Sequence, residues 1–421
     1  MKQANTLSEK VIQLIDKGVK IPEPFSVEIG EDIDIDRISG DGTVFHAGTK
    51  IYGARTLISS KTKLGYESPV TVVNCQLGSE VELKGGYFKE SVFLEKANMA
   101  YGAQVREGCI LEEEANGSHT VGLKQTILFP FVTLGSLINF CDCFMAGGTS
   151  RKNHSEVGSS YIHFNYTPNQ DKATASLIGD VPRGVMLNQQ PIFLGGQGGL
   201  VGPARIGYGT VIAAGMVYRG DCPDGGILIG GNSEETYEKY FHPGFYGNVQ
   251  RRVLNNIIYL ANLLALQRWY IHVREPFFRK QELGDGLFEG ALEKLEMAVS
   301  ERLKRFEALS QKMEQSIQAG KDILQGQQKD IILKQQAELL NNWASLKQCF
   351  LEQYEETVAE TERVSFLQVL HDIMAKKNTG YTDTIQALDT HAASSGVSWL
   401  QSIVDGIVNM ALDVIPSYKL S

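Results

Sequence analysis

Val81, Tyr87, Phe93, Met99, Val105 and Leu111 are apolar at a strict spacing of six, with Gly102 and Gly108 among the turns between them. Leu194, Leu200, Ile206, Ile212 and Tyr218 repeat the spacing beside Gly207, Gly209 and Gly215. A period of six suits neither a 3.6-residue helix nor the two-residue alternation of a simple strand. It suits a parallel β-coil, in which short strands each send one side chain inward and bend at glycine or small-residue corners. Three such units make one triangular turn of a solenoid. The pattern loses register between about residues 110 and 200, where PFVTLGSLINFCDCFMAGGTSRKNHS and VPRGVMLNQQ interrupt it. Insertions in a solenoid emerge as loops on one face, and such loops often line a binding site.

The coil pattern does not run the whole chain. Of 43 glycines, 35 lie in residues 1–250 and five beyond residue 291, so two architectures are joined. From EETYEKYFHPGFYGNVQRRVLNN onward the apolar residues follow three/four spacing: Leu292, Leu295, Val299, Leu303, Phe306, Leu309, Met313 and Ile317. That spacing predicts long amphipathic helices, with breaks at GQQKD and AKKNTGYTD and a last helix stopped by Pro416. The expected division is residues 1–34 as an N-terminal helix and cap, 35–240 as a β-helix with inserted loops, and 241–421 as a helical bundle or assembly domain. The N-terminal helix would cap one end of the solenoid; the later helices would cap the other or contact neighbouring subunits.

At 421 residues the chain is long enough for more than one core. Its formal charge of -9 supplies no global basic field for nucleic acid or anionic lipid. The opening MKQANTLSEKVIQLIDKG reads as a short amphipathic helix rather than a signal peptide or anchor. No window reaches the roughly 18 apolar residues of a spanning helix. Six cysteines in this length suit a reducing compartment better than a disulfide framework, so a cytoplasmic location is expected.

The irregular stretch GGTSRKNHSEVGSSYIHFNYTPNQDKATASLIGD concentrates the residues that can do chemistry. His154 is a base candidate, since an unperturbed imidazole titrates near 6.5; an ordinary surface histidine is the plainer reading. His163 suits a strand, where a structural role is equally open. Asn165 and Tyr166 offer an amide and a phenol to orient a polar ligand, and Lys172 offers a cation for a phosphate. Cys141 and Cys143 form a CxC pair without the paired motifs of a structural zinc site, so no metal is expected. GGQGGLVGPARIG lacks the Lys-Ser/Thr ending of a P-loop, and its glycines suit coil corners better.

FLGGQGGLVGPARIGYGTVIAAGMVYRGD and EVGSSYIHFNYTPNQDKATASLIGD resemble the left-handed β-helix acetyltransferase domain of bifunctional bacterial N-acetylglucosamine-1-phosphate uridyltransferases, over approximately residues 35–225. The resemblance implies a left-handed parallel β-helix of hexapeptide repeats, followed here by an α-helical domain, in an α+β multidomain chain. It implies a homotrimer that takes acetyl-CoA or another acyl-CoA as donor near subunit interfaces. His154 falls where the family's catalytic histidine lies. Asn165 and Tyr166 match its Asn-Tyr pair, and Lys172 resembles the basic residue of the following loop. Ala213 and Ala214 match the alanine-rich turn near the cofactor, with Gly196 where the family often has serine; Arg205 and Arg219 are further candidates for CoA phosphates. The basic stretch that holds the sugar phosphate is replaced by ILFPFVTLGSLINFCDC, which argues against glucosamine 1-phosphate as acceptor. Residues 1–34 are too few for the family's nucleotidyltransferase domain.

The expected function is therefore transfer of an acyl group, most simply acetyl, to an amine or hydroxyl of a sugar-related acceptor, with His154 as base. The competing expectation is a non-catalytic β-helix protein that binds a sugar nucleotide or serves assembly.

Overall fold

The computed structural model describes residues 7–419 except 224, 232–237, 239, 352–359 and 377–378, together with the side chains of residues 327 and 328. Most of the opening EETYEKY of the helical region and part of the AKKNTGYTD break lie outside the described residues.

Parallel ladders stack into a β-helix of about 11 turns with three faces. Face 1 runs in ten strands from Val44–Phe45 to Leu228–Ile229. Face 2 runs from Glu28–Ile29 to Val217–Tyr218, and face 3 from Leu57–Ile58 to Arg205–Ile206. Two long strands, Gly122–Leu128 and Ile138–Met145, cross the corner from face 2 to face 3 and join those faces into one sheet of 16 strands. The pairing Glu28↔Lys50 places the start of the solenoid before residue 35.

Each face contributes a column of buried side chains. On face 2, Val72, Phe88, Val105, Leu123 and Phe140 stack in register. Each such burial is worth roughly 1.5–3 kcal/mol. Phe88 occupies this column and Tyr87 does not, so the strict count of six is off by one there. The reason is coil length: Val72 pairs with Phe88 16 residues on and Phe88 with Val105 17 on, whereas Phe93 pairs with Leu111 a full 18 on. Shortened coils erase the six-residue count without disturbing the stacking. The stretch PFVTLGSLINFCDC is consequently ordinary coil, with Val132, Leu134, Ile138 and Phe140 buried.

The corners also depart from the glycine rule. Between faces 2 and 3 glycine turns the corner at Gly53 and Gly108, but Asn74, Glu90, Gln125 and Asp142 do so in other coils, all left-handed at φ 50 to 63°. Their strain is offset by inter-coil bonds such as Glu90 N–H to the Val73 carbonyl and Gln125 N–H to the Glu107 carbonyl. The true excursions are three: a hairpin at 147–154, a loop at 165–175, and a loop at 180–191.

Helix α1 (Glu9–Lys17) is capped by Ser8 and buries Val11 and Leu14 beside the first coil. α2 (Val181–Gly184) lies in the third excursion. The helical region comprises α3 (Gln250–Trp269), which continues through a π-helical turn Tyr270–Arg274, then α4 (Glu275–Phe278) and α5 (Gly284–Ile323). Next come α6 (Gln327–Asn341), α7 (Trp343–Leu351), α8 (Glu360–Lys376), α9 (Tyr381–Gln386) and α10 (Thr390–Val414).

These helices do not simply cap the solenoid end. α5, 40 residues long, lies along the solenoid's side, touching face 3 at early coils and the 165–175 loop at late ones. Its glycines permit the approach: a Cβ on Gly290 would meet Gln76 Oε1 at 2.5 Å. Arg55 pairs with Glu293, Asp142 with Arg302, and the Lys312 ammonium donates to the Asn169 carbonyl. At the end of α3, Arg274 is buried between Glu112 and Glu113 of the solenoid and packs 3.8 Å from the Tyr381 ring centroid. Among the described residues no helix is long and apolar enough to cross a membrane.

Candidate functional site

Gly148–Ser150 and Asn153–His154 pair antiparallel and project a hairpin at the corner between faces 3 and 1. Gly148 is required there: at φ 99°, a Cβ would meet the His154 Cα at 2.5 Å. Arg151 bends the hairpin back over face 1, donating to the Phe131 carbonyl at 2.7 Å and to Thr133 Oγ1 at 2.9 Å. From the helical side, the Gln386 amide at the end of α9 donates to the Thr149 carbonyl. The hairpin is therefore clamped from both architectures.

His154 sits in this clamp with 19% of its side chain exposed. Its Nδ1 lies 2.9 Å from the Arg151 carbonyl. A carbonyl only accepts, so Nδ1 carries the proton and Nε2 presents the lone pair. Nε2 lies 3.4 Å from Glu156 Oε2, a carboxylate placed to stabilise the imidazolium once Nε2 takes a proton. Glu156 did not figure among the sequence candidates, although its i, i+2 spacing from His154 in NHSEVG puts the two on one side of an extended chain. Gln386 left no signal in the sequence, since its relation to the hairpin exists only through the packing of α9.

Asn165, Tyr166 and Lys172 gather at a different corner, between faces 2 and 3. Asn165 donates to Asp142 Oδ2 at 2.7 Å, and Asp142 is paired with Arg302 of α5. Asn165 thus helps fasten the helix to the solenoid. Tyr166 is exposed, with the Lys172 ammonium 5.8 Å from its ring centroid. Arg219 lies exposed after the strand Val217–Tyr218, and Arg205 on face 3 faces the helices.

Gly196, Ala213 and Ala214 occupy the third corner, between faces 1 and 2. A Cβ on neighbouring Gly195 would meet the Ala214 nitrogen at 2.3 Å, and one on Gly196 the Ser159 carbonyl oxygen at 2.6 Å. Coil stacking alone demands those glycines. Outward, a Cβ on Gly215 would meet nothing within 4 Å, so small side chains leave the backbone of this corner open. In one chain the candidates therefore divide among three corners.

His163 is structural. It is buried, its Nδ1–H donates to the Cys141 carbonyl at 2.6 Å, and its Nε2 accepts from Ser176 Oγ at 2.7 Å. Burial pushes it down to about 4, so the neutral ring is what folds. The unfolded chain, with a reference near 6.5, binds a proton that the native state refuses. Stability from this group is full above pH 6.5 and is lost as pH falls toward 4, by about 3 kcal/mol. Urea midpoints measured from pH 7.5 to 4 are expected to fall more steeply for the native sequence than for His163→Gln; parallel curves would refute this assignment.

Cys141 and Cys143 flank the turning residue Asp142, so the CxC pair straddles a corner. Burial raises both thiols. Among the described residues no group of three or more His, Cys, Asp or Glu is arranged to hold a metal.

No family model matches the chain. It is 27% identical over 222 residues to the bifunctional protein GlmU of Thermotoga petrophila, covering 52% of this chain and 44% of the relative. The bifunctional protein GlmU of Staphylococcus haemolyticus is 25% identical over 230 residues, covering 54% and 45%. The chain thus spans less than half the length of these curated relatives. Among solved structures, a mutant of the N-acyltransferase AntD of Bacillus cereus, in complex with dTDP and coenzyme A, is 11% identical with a TM-score of 0.15, covering 42% of this chain and 87% of that one. The polysialic acid O-acetyltransferase OatWY is 12% identical with a TM-score of 0.16, covering 53% and 93%. Similarities at these TM-scores carry no weight for the site. The sequence relationship and the stacked coils agree: the chain is similar over about half its length to the bifunctional GlmU proteins, and its parallel β-solenoid fits a left-handed β-helix acetyltransferase domain.

Proposed function

We propose that this chain is an acyl-CoA-dependent acyltransferase that transfers an acetyl group to an amine or hydroxyl of a sugar-related acceptor. The observation that carries the reading is the His154 geometry. Nδ1 is committed to a carbonyl, Nε2 is free to accept a proton, and Glu156 stands ready to balance the charge. Nε2 removes the acceptor's proton as the acceptor's nitrogen or oxygen bonds to the thioester carbonyl carbon. The imidazolium returns that proton to the departing thiolate as the carbon–sulfur bond breaks, leaving acylated acceptor and free CoA.

The open corner at Gly196, Ala213 and Ala214 suits an extended donor lying against backbone, with the exposed Arg219, further along the coil of Ala213 and Ala214, as a candidate phosphate partner. That corner is not the one bearing His154, so a complete site calls for a second copy of the chain, in keeping with the homotrimer implied by the GlmU resemblance. Face 3 is largely covered by helices, whereas faces 1 and 2 bear exposed apolar residues in their last coils: Phe193, Val211 and Leu228 in register, and Ile162 and Val217. Those two faces are the ones available for trimer packing. The low cysteine use favours a cytoplasmic setting.

The test is saturation binding of acetyl-CoA to the native chain and to Ala214→Trp, which fills the open corner. Saturable binding weakened at least about tenfold in a still-folded variant is expected, a change of about 1.4 kcal/mol. Absence of saturable binding up to millimolar concentration, or equal affinity in the variant, would sink the acetyl-CoA reading. A second reading, a non-catalytic sugar-nucleotide-binding or assembly protein, draws on the engagement of Asn165 with Asp142 beneath α5. That contact takes up a side chain the transferase reading wants for substrate.

A further inference from the structure

Where the last coils meet α3 and α10, two adjoining cavities of about 340 and 860 Å³ form one cleft. They share Arg205, Pro223, Ile258 and Val408 as common wall. Volumes of this size suit a small-molecule ligand. The smaller lobe is polar, lined by Asp180, Arg183, Asn262, Gln401 and Asp405. The larger lobe has aliphatic walls from Leu254, Ile258, Val408 and Leu412.

The charges of the larger lobe do not balance. Arg205, Arg251 and Lys419 line it, against the single carboxylate of Asp221. Arg251 reaches Asp221 and the Pro203 carbonyl, and Lys419 pairs with Asp413 outside the lobe. The guanidinium of Arg205 has no hydrogen-bond or ion-pair partner among the described residues; its backbone N–H donates to Asp221 Oδ1 and its carbonyl accepts from the Cys222 N–H. Other cations packed between solenoid and helices, Arg274 and Arg302, are matched to carboxylates. In a chain of net charge -9, an arginine unmatched among the described residues at the waist of a two-lobed cleft asks for an anion.

We propose that this cleft is a second ligand site, separate from the Ala213–Ala214 corner, that takes a nucleotide-type phosphoester. The phosphate sits on Arg205 at the waist, flanked by the other two cations. A hydroxylated group enters the smaller lobe, where amides and carboxylates accept and donate hydrogen bonds. A flat or aliphatic apolar group fills the larger lobe. Because both architectures supply the walls, the ligand bridges solenoid and helices and tightens their seam.

The experiment is calorimetric titration of the full chain with UDP-glucose, UDP, inorganic phosphate and coenzyme A. UDP-glucose is expected to bind saturably and more tightly than inorganic phosphate. Arg205→Ala weakens it at least about tenfold with little change in melting temperature, since this guanidinium makes no hydrogen bond or ion pair among the described residues. Val408→Trp, which fills the shared wall, weakens it independently. Failure of UDP-glucose and UDP to saturate below millimolar concentration overturns the proposal, as does binding indifferent to both variants. Inorganic phosphate binding as tightly as UDP-glucose overturns the role of the lobes. Coenzyme A binding that falls with Arg205→Ala overturns the separation of the two sites. The proposal does not depend on acyl transfer, because Ala214→Trp reports on the other corner.

Discussion

Replacing Arg274 by methionine is expected to remove about 3–5 kcal/mol of stability, the usual cost of leaving a buried charge without its partner. Glu112 and Arg274 are almost fully inaccessible, and the guanidinium spans Glu112 and Glu113 while Tyr270 donates its hydroxyl to Glu112 at 2.6 Å. Burial already lifts Glu112 to about 7, with Arg274 opposing the rise. Without the cation the carboxyl rises further and folds best protonated. A raised carboxyl contributes stability below its unfolded value of 4.5 and loses it as pH climbs through the folded value. The variant should therefore be distinctly more stable at pH 5 than at pH 8, relative to the native chain. Denaturant midpoints at both pH values check this. A variant within about 1 kcal/mol of the native chain at pH 8 would show the network to be dispensable.

Replacing His154 by alanine is expected to lower turnover by about 10²- to 10⁴-fold, the range that a positioned general base supplies. Acetyl-CoA affinity should hold, because the corner with Ala213 and Ala214 lies elsewhere on the prism. Melting should change little, since His154 lines a partly exposed hairpin held by Arg151 and Gln386. Glu156→Gln should produce a smaller loss, confined to turnover. Activity of His154→Ala within about threefold of the native rate would remove the base from the mechanism.

The solenoid is legible in the sequence because each coil repeats one constraint, an inward apolar residue per short strand. Legibility fails where that constraint changes length rather than kind. The 17-residue coils through Leu128 and Phe140 resemble an interruption although the stacking never breaks. Tyr87 and Phe88 show the same limit at single-residue scale, since adjacent aromatics point to opposite sides and only the register decides between them. The candidate site divides similarly. His154 and its loop are visible as a cluster of polar residues between glycines. What happens to Asn165 and Arg205 depends on which face α5, α3 and α10 cover, and amphipathic spacing declares that a helix has a partner without naming it. Sequence proximity also suggests one site where the coil geometry distributes residues over three corners.

The long helix along the solenoid changes how the chain comes to be folded. Stacked coils contact only their neighbours, so a bare solenoid can nucleate anywhere and fray from its ends. Here one rigid rod of 40 residues, about 60 Å at ~1.5 Å per residue, is tied to coils from end to end. Ser39 bonds Glu282 just ahead of the helix, and within it Glu293 pairs with Arg55 and Arg302 with Asp142, at sequence separations of 243, 238 and 160. These distant closures raise contact order and slow the search. They also couple early coils to late ones, so that loosening one end is felt along the rod. During synthesis, the coils emerge before the residues that lock them, and remain an incompletely covered stack until the ribosome has passed residue 323.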